Sequence, residues 1–204
     1  MAEKNYQWID CLFIRHGKTN GNLERRYIGQ RTDEPLSEEG RRDALKLKAM
    51  LCQYGDRILF SSPMKRAVET AELLYPGVDI HIIDDLKETD FGLFEGKNFE
   101  ELKENADYQE WMRSGGTMAF PEGEDRDSVT RRVLRAFREA LRVGKNMAFI
   151  CHGGTIMSIL SELTGEDYYS FQVSNLDGFV VRFKVIGDEI DEVSYHRICS
   201  GVSS

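Results

Sequence analysis

The chain is marked first by what it lacks. Across 204 residues no apolar run approaches the roughly 18 residues of a membrane span. The opening "MAEKNYQWIDC" does not have the charged-then-apolar shape of a secretory leader. Basic residues do not prevail. Lys plus Arg number 27 against 35 Asp plus Glu, a net charge of −8, which argues against a nucleic-acid partner, since phosphate backbones demand basic surfaces. The four cysteines (Cys11, Cys52, Cys151, Cys199) form no C-x-x-C pair. They read as reduced thiols of a cytoplasmic protein rather than as a disulfide framework or a metal site. There is no internal repeat, low-complexity tract or Pro/Ser-rich linker, so one domain over 1–204 is expected. A hydrophobic fraction of 41% excludes a disordered chain.

What is present alternates strands with helices. "IDCLFI" is a continuous apolar run, the mark of a strand buried on both faces. "SEEGRRDALKLKAMLCQYG" reads as a helix capped by Ser37, with Glu38 and Glu39 at its positive end and Gly55 as its stop. "DRILFSS" is a second strand. Ser62-Pro63 then reads as N-cap and first-turn proline of a helix running to about Tyr75. "VDIHII" is a third strand. Residues 84–125 form a long aromatic-rich connection with one or two short helices. Residues 126–143 read as a helix, "NMAFIC" as a fourth strand, and a helix follows Gly153-Gly154. "GFVVRFKV" and "DEVSYHRI" read as two antiparallel strands joined through Gly187-Asp188. This order predicts an α/β three-layer sandwich, a mostly parallel central sheet with helices on both faces.

The chemistry is concentrated in a near-duplicate. "LFIRHGKT" has an echo in "AFICHGGT". Each runs an apolar strand into His-Gly and then Thr. Gly17-Lys18-Thr19 is not the tail of a P-loop, because the glycine required five positions before Gly17 is Leu12, inside the strand. In a parallel sheet the strand C-terminal ends share one edge, where ligands bind. His16 and His152 therefore meet there if their strands are neighbours. No third ligand stands at a metal-like spacing, and no metal or cofactor is expected.

The blocks "RHGKTNGN", "DEPLSEEGRRDA", "SSPMKRAVETA", "LKETDFGLFEG" and "ICHGGT" resemble, in order and over essentially the whole chain, those of the histidine phosphatase superfamily, the phosphoglycerate mutase-like fold. The resemblance implies that His16 is the phosphorylated nucleophile and that Arg15 and Arg66 hold the phosphoryl oxygens. It further implies that His152 completes the pocket and that Glu88 donates the proton. Thr19, Asn22, Gly29 and Gln30 are candidate phosphate- or substrate-binding residues. Lys18 and Gly21 depart from the acidic residue and the Trp that many members carry there.

These residue types suit the reaction. A neutral imidazole is a good nucleophile without a metal. Arginine forks match the equatorial oxygens of a transferring phosphoryl group. A carboxyl group beside a phosphate dianion keeps its proton more readily, which suits an acid. Asp84, Asp85 and Asp90 compete with Glu88 for that role. The six arginines of 126–142 read as solvated. Phe91, Phe94, Tyr108, Trp111 and Phe120 read equally as an apolar lid over the site or as local core.

The compact segment after Glu95-Gly96 resembles the short phosphatases of the alpha-ribazole phosphatase type, which act in cobalamin assembly, and broad-specificity phosphatases. The expected activity is a metal-independent phosphomonoesterase acting on a small-molecule phosphate ester, with which a homodimer is compatible. A phosphoglycerate mutase is the enzymatic alternative. A non-catalytic phosphate-binding regulatory protein is the alternative of another class.

Overall fold

The computed structural model describes residues 6–198; Cys199 lies outside them. In chain order the strands are β1 (Tyr6–Arg15), β2 (Ile58–Ser61), β3 (Ile80–Ile82), β4 (Met147–Cys151), β5 (Gly178–Ile186) and β6 (Glu189–Arg197). The α-helices are α1 (Asn20–Leu23), α2 (Glu38–Leu51), α3 (Lys65–Leu74), α4 (Phe99–Leu102), α5 (Ala106–Arg113), α6 (Arg126–Leu141) and α7 (Gly153–Thr164). The sheet order is β3-β2-β4-β1-β5-β6. β1 to β4 run parallel, and β5 and β6 add an antiparallel hairpin beside β1. Helices cover both faces, so the expected mostly parallel three-layer α/β architecture is observed.

β1 shows why both faces are apolar. Cys11 and Phe13 enter the core shared with α6 and α7. Leu12 and Ile14 enter the core shared with α2 and α3. All four are fully buried, as a period-2 strand between two helical layers requires. Each such apolar side chain taken from water contributes about 1.5–3 kcal/mol. Leu47 and Leu51 of α2, and Ala67, Ala71 and Leu74 of α3, supply one facing layer. Val133, Phe137 and Ala140 of α6 supply the other.

Several expected boundaries shift. β1 begins at Tyr6, because its antiparallel pairing with β5 reaches back from Ile14↔Gly178 to Tyr6↔Ile186. β3 shortens to three residues at the sheet edge, with one neighbour. Ser37 caps α2 as expected, its hydroxyl accepting the Gly40 N–H at 3.0 Å. Ser62 does not cap α3. That helix starts at Lys65 behind Met64, with no side-chain cap, and the Ser62 hydroxyl is engaged with His152 instead. The 84–125 connection holds α4, α5 and two 3-10 turns (Asp84–Leu86, Gly92–Phe94). It packs its own aromatic cluster around Phe94, Leu102 and Tyr108. No described helix is long and apolar enough to cross a membrane.

Candidate active site

The register Arg15↔Cys151 makes β1 and β4 neighbours up to their last residues. His16 and His152, the next residues, therefore emerge together, with ring centroids 5.1 Å apart. Both are buried. Burial, reinforced by the charges of Arg66 and Arg15, holds the His16 pKa well below that of an ordinary imidazole. His152 is pushed the same way, first by burial and then by Arg66. Both rings are therefore neutral near pH 7.

Hydrogen bonds orient the two rings. His16 Nδ1 lies 2.7 Å from the Gly17 carbonyl oxygen, which can only accept. The proton is thus on Nδ1 and the lone pair on Nε2, where Arg66 Nε–H donates at 3.3 Å. His152 Nε2 contacts the Ser62 hydroxyl at 2.7 Å. That hydroxyl already accepts the Met64 N–H (3.3 Å), so its own hydrogen is available to Nε2. In the tautomer where the hydroxyl donates to Nε2, His152 carries its proton on Nδ1.

His152 Nδ1 is buried without a partner, and so is Arg15 Nε. A buried donor without an acceptor is costly. Two of them beside an imidazole lone pair suit an oxygen-rich, anionic ligand.

The arginines are fixed before any ligand arrives. Arg66, in the first turn of α3, is fully buried and donates to the carbonyls of Thr32 (2.9 Å) and Gly29 (3.1 Å). Arg15 donates to the Val173 carbonyl at 2.8 Å. Burial lowers both guanidinium pKa values, and the Glu88 charge pulls them back up.

Glu88 accepts the Thr89 N–H (2.9 Å) and the Gly154 N–H (3.3 Å). The second bond sets its carboxylate against the first turn of α7. A Cβ on Gly154 would come within 2.4 Å of Glu88 Oε1, so glycine is required there for the contact.

A cavity of about 330 Å³ opens on this group, lined by Arg15, His16, Asn22 and Glu88 among others. Glu88 is its one acidic lining residue among those described. The competing carboxylates are engaged elsewhere. Asp84 pairs with Lys87, Asp85 with Arg135 and Asp90 with Arg31.

The other candidates divide. Asn22 lines the cavity; its Oδ1 accepts the Asn175 amide at 3.2 Å. Thr19, Gly29 and Gln30 are not brought to the cavity. Thr19 is buried as the cap of α1 and donates its hydroxyl to Glu34 at 2.6 Å. Gly29 gives its N–H to Glu95 (3.0 Å) and its carbonyl to Arg66. Gln30 donates to Glu124 at 2.8 Å. Burial pushes the Cys11 and Cys151 thiols far up, so neither supplies a thiolate.

Sequence reasoning missed Arg132, one of the six arginines read as solvated. It pairs with both oxygens of Glu124 (2.8 and 2.9 Å). It also donates to the carbonyls of Asp85 (2.7 Å), Lys87 (2.8 Å) and Glu88 (3.0 Å). Glu124 in turn receives the Asp90 N–H at 2.9 Å. The peptide that carries Glu88 is therefore bolted to α6. Arg126 was missed too; it lines the cavity. Periodicity alone identifies the faces of α6, and the signal that could have singled out Arg132 is its place one turn before the buried Ala136, on the core side of the helix. The aromatic residues divide. Phe94 and Tyr108 are buried in the cluster, while Phe91, Trp111 and Phe120 line the cavity.

The family model of the histidine phosphatase superfamily (branch 1) matches residues 11–193. The chain is 30% identical over 161 residues to the Bacillus subtilis protein named "Uncharacterized phosphatase PhoE", covering 77% of this chain and 78% of that one. It is 31% identical over 165 residues to an Escherichia coli protein named "Probable phosphoglycerate mutase GpmB", covering 77% and 75%. In fold it is similar to the alpha-ribazole phosphatase of Shigella flexneri, with a TM-score of 0.77 at 23% identity over 89% of this chain and 93% of that one. With its paired strand-end histidines and Arg15 and Arg66 beside them, the chain belongs to the histidine phosphatase superfamily.

Proposed function

We propose that this phosphatase is a metal-independent phosphomonoesterase working through a phosphohistidine on His16. The observation that supports this most directly is the His16 ring, neutral, with Nε2 unprotonated. Arg66 and the partnerless donors of Arg15 and His152 surround it.

In the first step His16 Nε2 attacks phosphorus as the bond to the leaving oxygen breaks. The electron pair goes to that oxygen, and the Glu88 carboxyl supplies its proton. The Gly17 carbonyl holds Nδ1–H while the ring becomes cationic. Arg15, Arg66 and His152 Nδ1 receive the equatorial oxygens, a preorganised arrangement that stabilises transition-state charge. In the second step water attacks phosphorus and Glu88 takes its proton. The P–N bond breaks and the pair returns to Nε2.

The alcohol is that of a small-molecule ester, within the range of the alpha-ribazole phosphatase type or of a broad-specificity phosphatase. Among the described residues no group of three or more His, Cys, Asp or Glu is placed to hold a metal. The arginines supply the positive charge that a metal would otherwise bring.

The test is rapid quench with a labelled phosphoester in excess chelator. Wild type should form acid-labile protein phosphate and turn over, and His16→Ala should do neither. Loss of turnover in chelator restored by zinc or magnesium, or equal labelling of the variant, would sink the mechanism. A screen over sugar phosphates, nucleotides and ribazole phosphate, with a phosphoglycerate isomerisation assay beside it, reads the alcohol and separates a mutase.

A further inference from the structure

Two arginines of α6, Arg132 behind the Glu88 peptide and Arg126 on the cavity wall, are treated very differently by the fold. Arg132 spends its guanidinium on one carboxylate and three carbonyls. Arg126 makes no ion pair among the described residues. Its Nη2 alone donates, to the Gly116 carbonyl and the Tyr169 hydroxyl, both at a long 3.3 Å. Its guanidinium carbon lies 4.2 Å from the Tyr168 ring centroid and 5.4 Å from that of Tyr169. It also stands in the first turn of α6, where the helix dipole disfavours a cation. A cation kept half-buried against the dipole, with most of its donors unspent, contrasts with the saturated Arg132 on the same helix.

Arg126 lines the same cavity as His16, among aromatic side chains. Trp111 lines it too, and its buried indole N–H has no acceptor. The chamber beyond the phosphoryl pocket thus combines an aromatic wall with unspent donors, and Glu88 is its one acid among the described residues.

We propose that Arg126 is the receptor for an anionic group on the leaving alcohol, so that preferred substrates are phosphomonoesters whose alcohol joins an apolar or aromatic body to a carboxylate or second phosphate. This rests on the phosphomonoesterase reading and narrows it. An alcohol that ends in a neutral heterocycle would leave Arg126 unused. The aromatic faces of Tyr168 and Tyr169 keep the guanidinium in place in the free enzyme, and the cation–π contact leaves its N–H edge available. A carboxylate can then accept two parallel N–H groups.

The test compares kcat/KM for 4-carboxyphenyl phosphate, 4-phosphonophenyl phosphate and the isosteric neutral 4-carbamoylphenyl phosphate in wild type and Arg126→Gln. The wild type should prefer an anionic ester over the neutral one by about tenfold or more, the scale of one charge-assisted pair. In Arg126→Gln that ratio should fall to near one, and Arg126→Lys should restore part of it. The carboxylate and phosphonate arms tell the two anions apart. A wild-type ratio at or below one, or a ratio unchanged in Arg126→Gln, overturns the proposal; so does an equal loss on all three esters, the sign of a merely structural arginine. If wild type hydrolyses no ester, nitrophenyl phosphate included, the phosphomonoesterase reading falls by itself. Arg126 is then judged by calorimetric affinity for 4-carboxybenzylphosphonate against 4-carbamoylbenzylphosphonate in the same two proteins. Equal affinities overturn it.

Discussion

The two halves of the cavity are built by different means. The phosphoryl half is made by strand ends. His16 and His152 follow two hydrogen-bonded neighbours, and Arg15 and Arg66 are tied to backbone carbonyls. Its geometry therefore follows sheet register, which cannot slip by one residue without exchanging the side chains of β1 between its two core layers. The alcohol half is made by side chains of the 84–125 connection and the Tyr168–Phe171 turn. Its aromatic rings meet mostly edge to face, as in Tyr27–Phe91 and Phe91–Phe120. Short helical turns carry Phe94, Tyr108 and Trp111, and the Arg132–Glu124 pair ties the connection to α6. The difference teaches that the reaction type is fixed by the sheet, while the choice of alcohol is left to packing that can vary around it.

Glu88 sits where the halves meet, so it offers the sharpest way to break the comparison. Glu88→Gln should lose about 10²–10⁴-fold on alkyl phosphates, whose alkoxide needs a proton, and much less on nitrophenyl phosphate. Binding should stay near normal because Arg15 and Arg66, proposed to hold the phosphate, are unchanged. Steady-state kinetics on both esters read it; equal losses would remove Glu88 from the acid role, with Asp84, Asp85 and Asp90 next to test.

Arg132 sharpens the comparison from the alcohol side. Arg132→Lys keeps the charge but loses the fork that holds the Asp85, Lys87 and Glu88 carbonyls. Misplacing a catalytic group by about 1 Å can cost a factor on the order of 10². The variant should therefore lose roughly 10–100-fold on alkyl esters and clearly less on nitrophenyl phosphate. A uniform loss on both would make Arg132 a stability residue only.

The smallest effect belongs to the phosphoryl half alone. His16 and His152 have folded pKa values well below the unfolded value of 6.5. Below pH 6.5 the unfolded chain binds protons that the folded chain refuses. Stability is thus full above that pH and falls as the pH drops through it, by up to about 1.4 kcal/mol per pH unit for each histidine. Denaturant midpoints between about pH 8 and pH 5, above the main carboxylate range, should show this slope, and His16→Asn should lessen it. A flat wild-type profile would contradict the neutral buried pair.

The phosphoryl half was legible in the chain because each of its residues ends a strand or opens a helix. The apolar runs before His16 and His152, and the helix that carries Arg66, are local patterns, and parallel pairing brings such ends to one edge. The boundary signals were less reliable where a side chain had a better partner elsewhere. Ser62 reads as a helix cap, yet its hydroxyl serves His152, 90 positions away in the chain.

The sequence by itself determined the alternation of elements, the two-faced core of β1 and the place of each histidine at a strand end, since strand period and helix capping are local physics. The pairing of β1 with β4 that brings the histidines together is tertiary. Only the tertiary structure decided what the arginines of α6 do. Arg132 and Arg126 share a helix and a residue type, and their neighbours along the chain place Arg132 on the core side without saying what either guanidinium meets. Their roles come from residues that approach from other segments. Glu124 and the peptide of Glu88 saturate one, while Tyr168 and Tyr169 hold the other with its charge unspent. A long side chain is defined by the groups within reach of its tip, and folding alone sets those.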